Sequence, residues 1–218
     1  MSPDRIANYL AEDTAAEETL DDIISRRADF LTGYQNQALA DRYLALVQRV
    51  RDAEHSDDAL VEAVARSYFK LLAYKDEYEV ARLHTQTDFL DSIRETYGKN
   101  ARIRFHMAPP LLSRKKDGRG RPRKKEFGRG TISLLKMLAR MRGLRGTPFD
   151  IFGLSQDRRT ERALIREFEQ QVDELLPTLA ADNACRLQAI FVSYMDIRGY
   201  GPVKDEAIEK NRSERSLQ

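Results

Sequence analysis

Three places in this chain of 218 residues gather side chains able to do chemistry. The first is Tyr74-Lys75-Asp76-Glu77-Tyr78-Glu79, a dense polar run inside an otherwise apolar helical pattern. Lys75 and Glu79 stand four apart, the spacing of an ion pair on one helix face. Lys75 and Glu77 could serve as a paired acid and base at an interface, with Tyr74 and Tyr78 sharing a face. The plainer reading is a solvated helix face whose tyrosine edges enter the core. The second place is His106, in Phe105-His106-Met107-Ala108-Pro109-Pro110, suited to a proton shuttle or a ligand group. With no partner carboxylate in a recognisable motif, it reads rather as a partly buried histidine bonded to a backbone carbonyl. The third is the basic stretch from Arg114, including Arg121, Arg123, Lys124 and Lys125. Asp150, between Phe149 and Phe152, reads as an N-cap or a buried polar anchor rather than a catalytic group.

The basic stretch admits several partners. By composition it resembles an arm that enters a minor groove or binds RNA. Aromatic side chains for base stacking are missing from it apart from Phe127, and no helix-turn-helix, zinc-finger or RNP pattern accompanies it. Nucleic acid is therefore the least favoured partner. The same charge could meet an acidic protein, a cofactor phosphate, or the chain's own acidic surface. The chain contains no dinucleotide-binding or P-loop glycine pattern, no Gly-Asp-Gly thiamine diphosphate motif, no Cys-x-x-Cys and no Ser or Cys nucleophile motif.

Charge is segregated along the chain. Between Arg114 and Arg145 thirteen Lys and Arg face only Asp117 and Glu126, a charge of +11. The whole chain carries +2, from 37 bases and 35 acids, so the remainder carries −9. Seven of those acids lie in the first 22 residues. Such segregation implies that the basic segment meets something anionic or folds back on acidic surface. A single cysteine, Cys185, excludes an internal disulfide and a cysteine-held cluster, and three histidines make a His-rich metal site improbable. No apolar run approaches the roughly 18 residues of a spanning helix, and the N-terminus lacks the apolar stretch of a signal peptide. A cytoplasmic setting follows.

The elements that must position these residues read as helix nearly throughout. Thr19 can cap a helix with Leu20, Ile23, Ile24, Ala28 and Leu31 on one stripe. A second stripe runs from Leu39 to Val50. After the start signal Ser56-Asp57-Asp58, a wide stripe from Leu60 to Leu72 predicts a helix buried on more than one side, continuing through Tyr74, Tyr78, Val80 and Leu83. Thr87-Asp88 starts another helix, which Gly98 stops. Residues 101–107 alternate apolar and polar, a strand ended by Pro109-Pro110. Residues 113–130 read as a basic loop. Helices follow at Thr131–Met141, from Ser155 to before Pro177, after Asp182-Asn183, and from about Val203. In the connector between the first two of these, Phe149, Ile151 and Phe152 are expected to plug into the core. The result is a mainly α fold: a multi-helix orthogonal bundle of about eight helices with at most one short hairpin or strand near 101–107. Residues 1–18 form an acidic lead-in, 19–208 one helical domain, and 209–218 a frayed tail.

Several segments together resemble the C-terminal region of the long, fused indolepyruvate:ferredoxin oxidoreductases, of the 2-oxoacid:ferredoxin oxidoreductase family. They are Arg26–Gln35 (RRADFLTGYQ), Ala73–Leu83 (AYKDEYEVARL), Phe105–Leu112 (FHMAPPLL), Gly120–Lys124 (GRPRK), Leu144–Asp150 (LRGTPFD) and Ile197–Lys204 (IRGYGPVK). The resemblance runs in order from about residue 19 to 208.

The resemblance implies a parent enzyme that oxidatively decarboxylates an aryl-pyruvate to an acyl-coenzyme A and passes the electrons to ferredoxin. Thiamine diphosphate and iron–sulfur clusters would belong to that parent, upstream, and none to this chain. The chain would be an excised C-terminal module, or alternatively a stand-alone gene product, with no catalytic residue transferable to it. Its partners would be the remainder of the parent enzyme, with acidic ferredoxin or coenzyme A as anionic groups for the basic loop. Lys75, Glu77, Tyr78, His106, Arg121, Arg123, Lys124 and Lys125 are the candidates for such contacts. The alternatives are a nucleic-acid-binding helical module using residues 114–129, or a purely structural domain that forms a homodimer.

Overall fold

The structure, a computed structural model, describes residues 18–54, 58–98, 102–107, 125–128 and 130–215. It is mainly α. Nine α-helices and one two-stranded antiparallel sheet are present among the described residues. The chain divides into two compact units, one made of the residues up to Ala73 together with those from Thr160, the other of Tyr74–Arg159.

The first unit begins with α1 (Leu20–Tyr34), α2 (Gln37–Ala53) and α3 (Ala59–Leu72). Thr19 starts α1 through a capping box: its hydroxyl accepts from the Asp22 amide, and Asp22 accepts from the Thr19 amide, both at 3.2 Å. Asn36 starts α2 by accepting from the Leu39 amide at 3.0 Å. Nine of the fourteen α3 residues are buried, as its wide apolar stripe requires. Most of α7 (Gln156–Leu175) and all of α8 (Ala184–Ser193) and α9 (Pro202–Arg215) complete the unit. Its core is an aromatic series in which Tyr43 stacks on Tyr68, Tyr68 on Phe168 at 5.4 Å, and Phe168 meets Tyr194 edge-on at 4.9 Å. Lys70 fixes the end of α8, its Nζ donating to the carbonyls of Tyr194, Met195 and Ile197 at 2.8–2.9 Å.

The second unit holds α4 (Glu77–Thr85), α5 (Phe89–Tyr97), β1 (Phe105–Met107), β2 (Lys125–Phe127), α6 (Gly130–Arg140) and a 3-10 turn at Met141–Leu144. Its core is small: Ala81, Phe105, Leu135 and Ala139, with Ile103, Phe127, Ile132 and Leu138 around them. The strands pair with Phe105 opposite Phe127 and His106 opposite Glu126.

Several boundaries differ from the sequence reading. The helix of α3 does not continue through residues 74–83, because Ala73 ends it and Asp76 starts α4 afresh. The loop expected over 113–130 yields β2 at 125–127, while residues 113–124 lie outside the described residues. The tail expected to fray from Asn211 stays helical to Arg215. Polar side chains are what hold it. The Asn211 amide donates to the Ser193 carbonyl at 2.9 Å, and Arg215 bonds to Glu167, Gln171 and the Tyr194 hydroxyl.

Candidate functional site

In the second unit, charged side chains are buried around the start of α4 and the connector that follows the 3-10 turn. Asp76 is the N-cap of α4, its Oδ1 accepting from the Glu79 amide at 2.8 Å. The same carboxylate receives Arg145 at both oxygens, Nε to Oδ2 at 2.6 Å and Nη2 to Oδ1 at 2.8 Å. Both side chains are 3% exposed. Arg145 also lies over the Tyr78 ring at 5.6 Å. This geometry forces the turn: Gly146 takes φ +77°, which favours glycine, and its amide donates to Asp150 Oδ2 at 2.8 Å. Asp150 Oδ1 accepts from the Gly153 amide at 3.0 Å and from the Tyr78 hydroxyl at 3.3 Å. Burial and the neighbouring Asp150 carboxylate push the Tyr78 hydroxyl up to about 12.

These carboxylates spend their acceptor capacity on the protein itself. They hold backbone in place, which is the anchoring role read for Asp150. What they hold out is apolar. Phe149 is 74% exposed, Ile151 50% and Leu154 72%. The expectation that Phe149 and Ile151 plug into the core is thus overturned; Phe152 alone of the three packs inward, edge-on to Tyr78 at 5.2 Å. The reason is that buried charge pairs, rather than side-chain insertion, fix this irregular segment.

The residues singled out in the sequence are partly brought together. Tyr78 is fully buried within the network. Glu77 faces Arg158 at 3.5 Å, and the Arg158 guanidinium covers the Tyr74 ring at 5.6 Å. Burial raises the Glu77 carboxyl above its ordinary range despite that cation. Lys75 precedes α4 and is exposed, so it cannot pair with Glu79 across a helix turn; Glu79 instead takes Arg82 at 2.8 Å through both oxygens. His106 is exposed on β1 rather than partly buried, and Glu126 across from it bonds to Arg104 at 2.6 Å. Arg121, Arg123 and Lys124 lie outside the described residues, as does the side chain of Lys125. The pairing of Asp76 with Arg145 was missed, because Arg145 counted only as one more base of the cationic window. Half of the signal was available: Asp76 three residues before Glu79 is a helix-start pattern.

Among the described residues no group of three or more His, Cys, Asp and Glu is placed to hold a metal ion, and no helix is long and apolar enough to cross a membrane. The model of a family described as a family of unknown function (DUF6537) matches residues 20–216. No curated protein and no solved structure matches the chain.

Proposed function

The chain belongs to the DUF6537 family, and we propose that it is an accessory, interface-forming domain of an aryl-pyruvate (indolepyruvate):ferredoxin oxidoreductase. The observation that carries the interface role is the set of Phe149, Ile151 and Leu154, exposed on a connector pinned by the buried Arg145–Asp76 pair and Asp150. Single exposed apolar side chains are ordinary, but three within six residues on a fixed backbone form a preorganised docking edge. A rigid edge loses little conformational entropy on binding, so its contacts count nearly in full toward affinity.

The occupant of that edge is the remainder of the parent enzyme, a choice supported by the segmental resemblance and not by the geometry. Cys185 is a lone, exposed cysteine, so this chain offers no thiolate set for an iron–sulfur cluster. Thiamine diphosphate and the clusters are assigned to the parent, and no step of this chain runs through them. The +11 segment adds attraction for an anionic partner such as acidic ferredoxin or coenzyme A, and the setting is cytoplasmic.

The test is co-expression of the chain with the catalytic portion of an indolepyruvate:ferredoxin oxidoreductase. Co-purification and indolepyruvate-dependent ferredoxin reduction are measured with the unaltered chain and with a Phe149→Ser/Leu154→Ser variant. The expected result is a complex whose affinity falls about tenfold or more in the variant. Equal turnover with and without the chain, and no complex, would overturn the proposal.

A further inference from the structure

We infer that Arg27 and Tyr43, in the first unit, form a binding site for a single oxyanion group, a carboxylate or a phosphate. Six arginines lie on α1, α2 and α3, and five of them have a carboxylate partner. Arg26 pairs with Glu18, Arg42 with Glu169, Arg49 with Asp173, Arg51 with Asp21 and Arg66 with Glu62, each at 2.6 or 2.7 Å. Arg27 has no carboxylate partner among the described residues, its Nε and Nη1 are buried without a hydrogen-bond partner, and the Tyr43 hydroxyl is the polar group beside it. Burial holds its guanidinium below the ordinary range, and the nearby Arg66 and Arg26 charges push the same way. A cation taken out of water without a counter-charge is strongly disfavoured.

The surroundings are built to receive an anion. The guanidinium carbon lies 5.2 Å from the centre of the Phe69 ring. This cation–ring contact offsets part of the cost but supplies no counter-charge. Tyr43 is 0% exposed, and its hydroxyl has no hydrogen-bond partner although it lies close enough to Arg27 for each to shift the other's titration. An oxyanion beside Arg27 would accept from the guanidinium and from the Tyr43 hydroxyl at once. It would meet a local field made positive by Arg26 and Arg66, whose own carboxylates are already engaged. Because the guanidinium is planar and forked, either a carboxylate or a phosphate fits it.

The experiment uses the full chain and needs no catalytic partner. Thermal unfolding is followed in sodium phosphate, sodium acetate and sodium chloride at matched ionic strength. A ligand that binds only the folded state raises the midpoint in proportion to the logarithm of its concentration above Kd. The expected result is a rise with phosphate or acetate beyond that in chloride, lost in Arg27→Met and reduced in Tyr43→Phe. Arg49→Ala, an exposed control, keeps the rise. The acetate and phosphate arms show which oxyanion is preferred. Replacing Glu12, Asp13 and Glu17 by their amides in the full chain tests an internal source: a larger rise identifies a carboxylate of the chain itself as competitor, and an unchanged one an external ligand. Should Arg27→Met fail to fold, the Arg27 Nε–H resonance of the unaltered chain must shift saturably with phosphate or acetate. Equal rises in the unaltered chain and Arg27→Met, or no rise and no resonance shift with either oxyanion, overturn the site.

Discussion

Arg145 and Asp76, 69 residues apart in sequence, meet as a bidentate pair with both side chains 3% exposed. The pair does two jobs through one carboxylate. Asp76 caps α4, and by holding Arg145 it also fixes where the connector begins. An ion pair this dry gains much of its attraction back only after desolvating both groups, so its value lies in specifying position rather than in net stability.

Arg145→Met leaves the Asp76 carboxylate buried without its cation, and a loss of about 3–5 kcal/mol is expected in urea unfolding. Combining it with Asp76→Leu should cost less than the sum of the two single changes, because the second removes the stranded charge. Arg145→Lys keeps the charge but not the fork and should fall between. A single variant within about 0.5 kcal/mol of the unaltered chain would show that the pair does not hold the connector.

Side chains on the connector should divide sharply. Phe149→Ser and Leu154→Ser are expected to change unfolding stability by no more than about 0.5 kcal/mol, since water already covers both. Phe152→Ser, which removes the ring packed on Tyr78, should cost about 1–3 kcal/mol. Comparable losses at all three positions would mean that Phe149 and Leu154 are structural after all.

The helices were legible wherever an apolar stripe met a local start signal. Thr19 before Leu20, Asp88 before Phe89 and Ser155 before Gln156 all stand at observed helix starts. The misread places have separate physical causes. At Tyr74–Glu79 the apolar spacing of Tyr74, Tyr78 and Val80 continues the stripe of α3, so periodicity alone hides the break that Asp76 makes by capping. Phe149 and Ile151 look like core by composition, since hydrophobicity does not reveal that buried charges elsewhere anchor their segment. The division into two units carries no compositional mark either, because α7 begins in one unit and runs into the other. Arg27 was read only as part of a resembling segment; nothing in its spacing distinguishes it from Arg26, whose Glu18 partner lies eight residues away.

Lys70 supplies a pH test in the first unit. Burial, with the Arg198 and Lys204 charges nearby, pulls its amine down from 10.5 to about 8. Between these values the unfolded chain keeps a proton that the folded chain releases, so stability should rise with pH over this window relative to Lys70→Met. The comparison is best made from pH 8 to 9.5, below the range where the buried tyrosines begin to ionise. Parallel unfolding profiles for the two proteins would mean that the three carbonyls hold Lys70 charged at its ordinary value.

His84 gives the opposite end of the pH scale. Its ring sits edge-on between Phe89 on α5 at 4.9 Å and Phe105 on β1 at 5.4 Å, and its Nδ1 is buried without a hydrogen-bond partner among the described residues. Burial, and then the Lys75 charge, hold its imidazole below the ordinary 6.5. As pH falls through 6.5 the unfolded chain takes up a proton that the folded chain refuses, so this contribution to stability declines from there until the folded-state value is passed. His84→Gln, uncharged throughout, should flatten the part of the midpoint profile between pH 7.5 and 5.0 that His84 causes. Because His84 touches both α5 and β1, amide exchange in the β1–β2 sheet should quicken on acidification in the unaltered chain and not in His84→Gln; identical exchange in the two would show that the imidazole bears its proton inside the fold without disturbing the rings that enclose it.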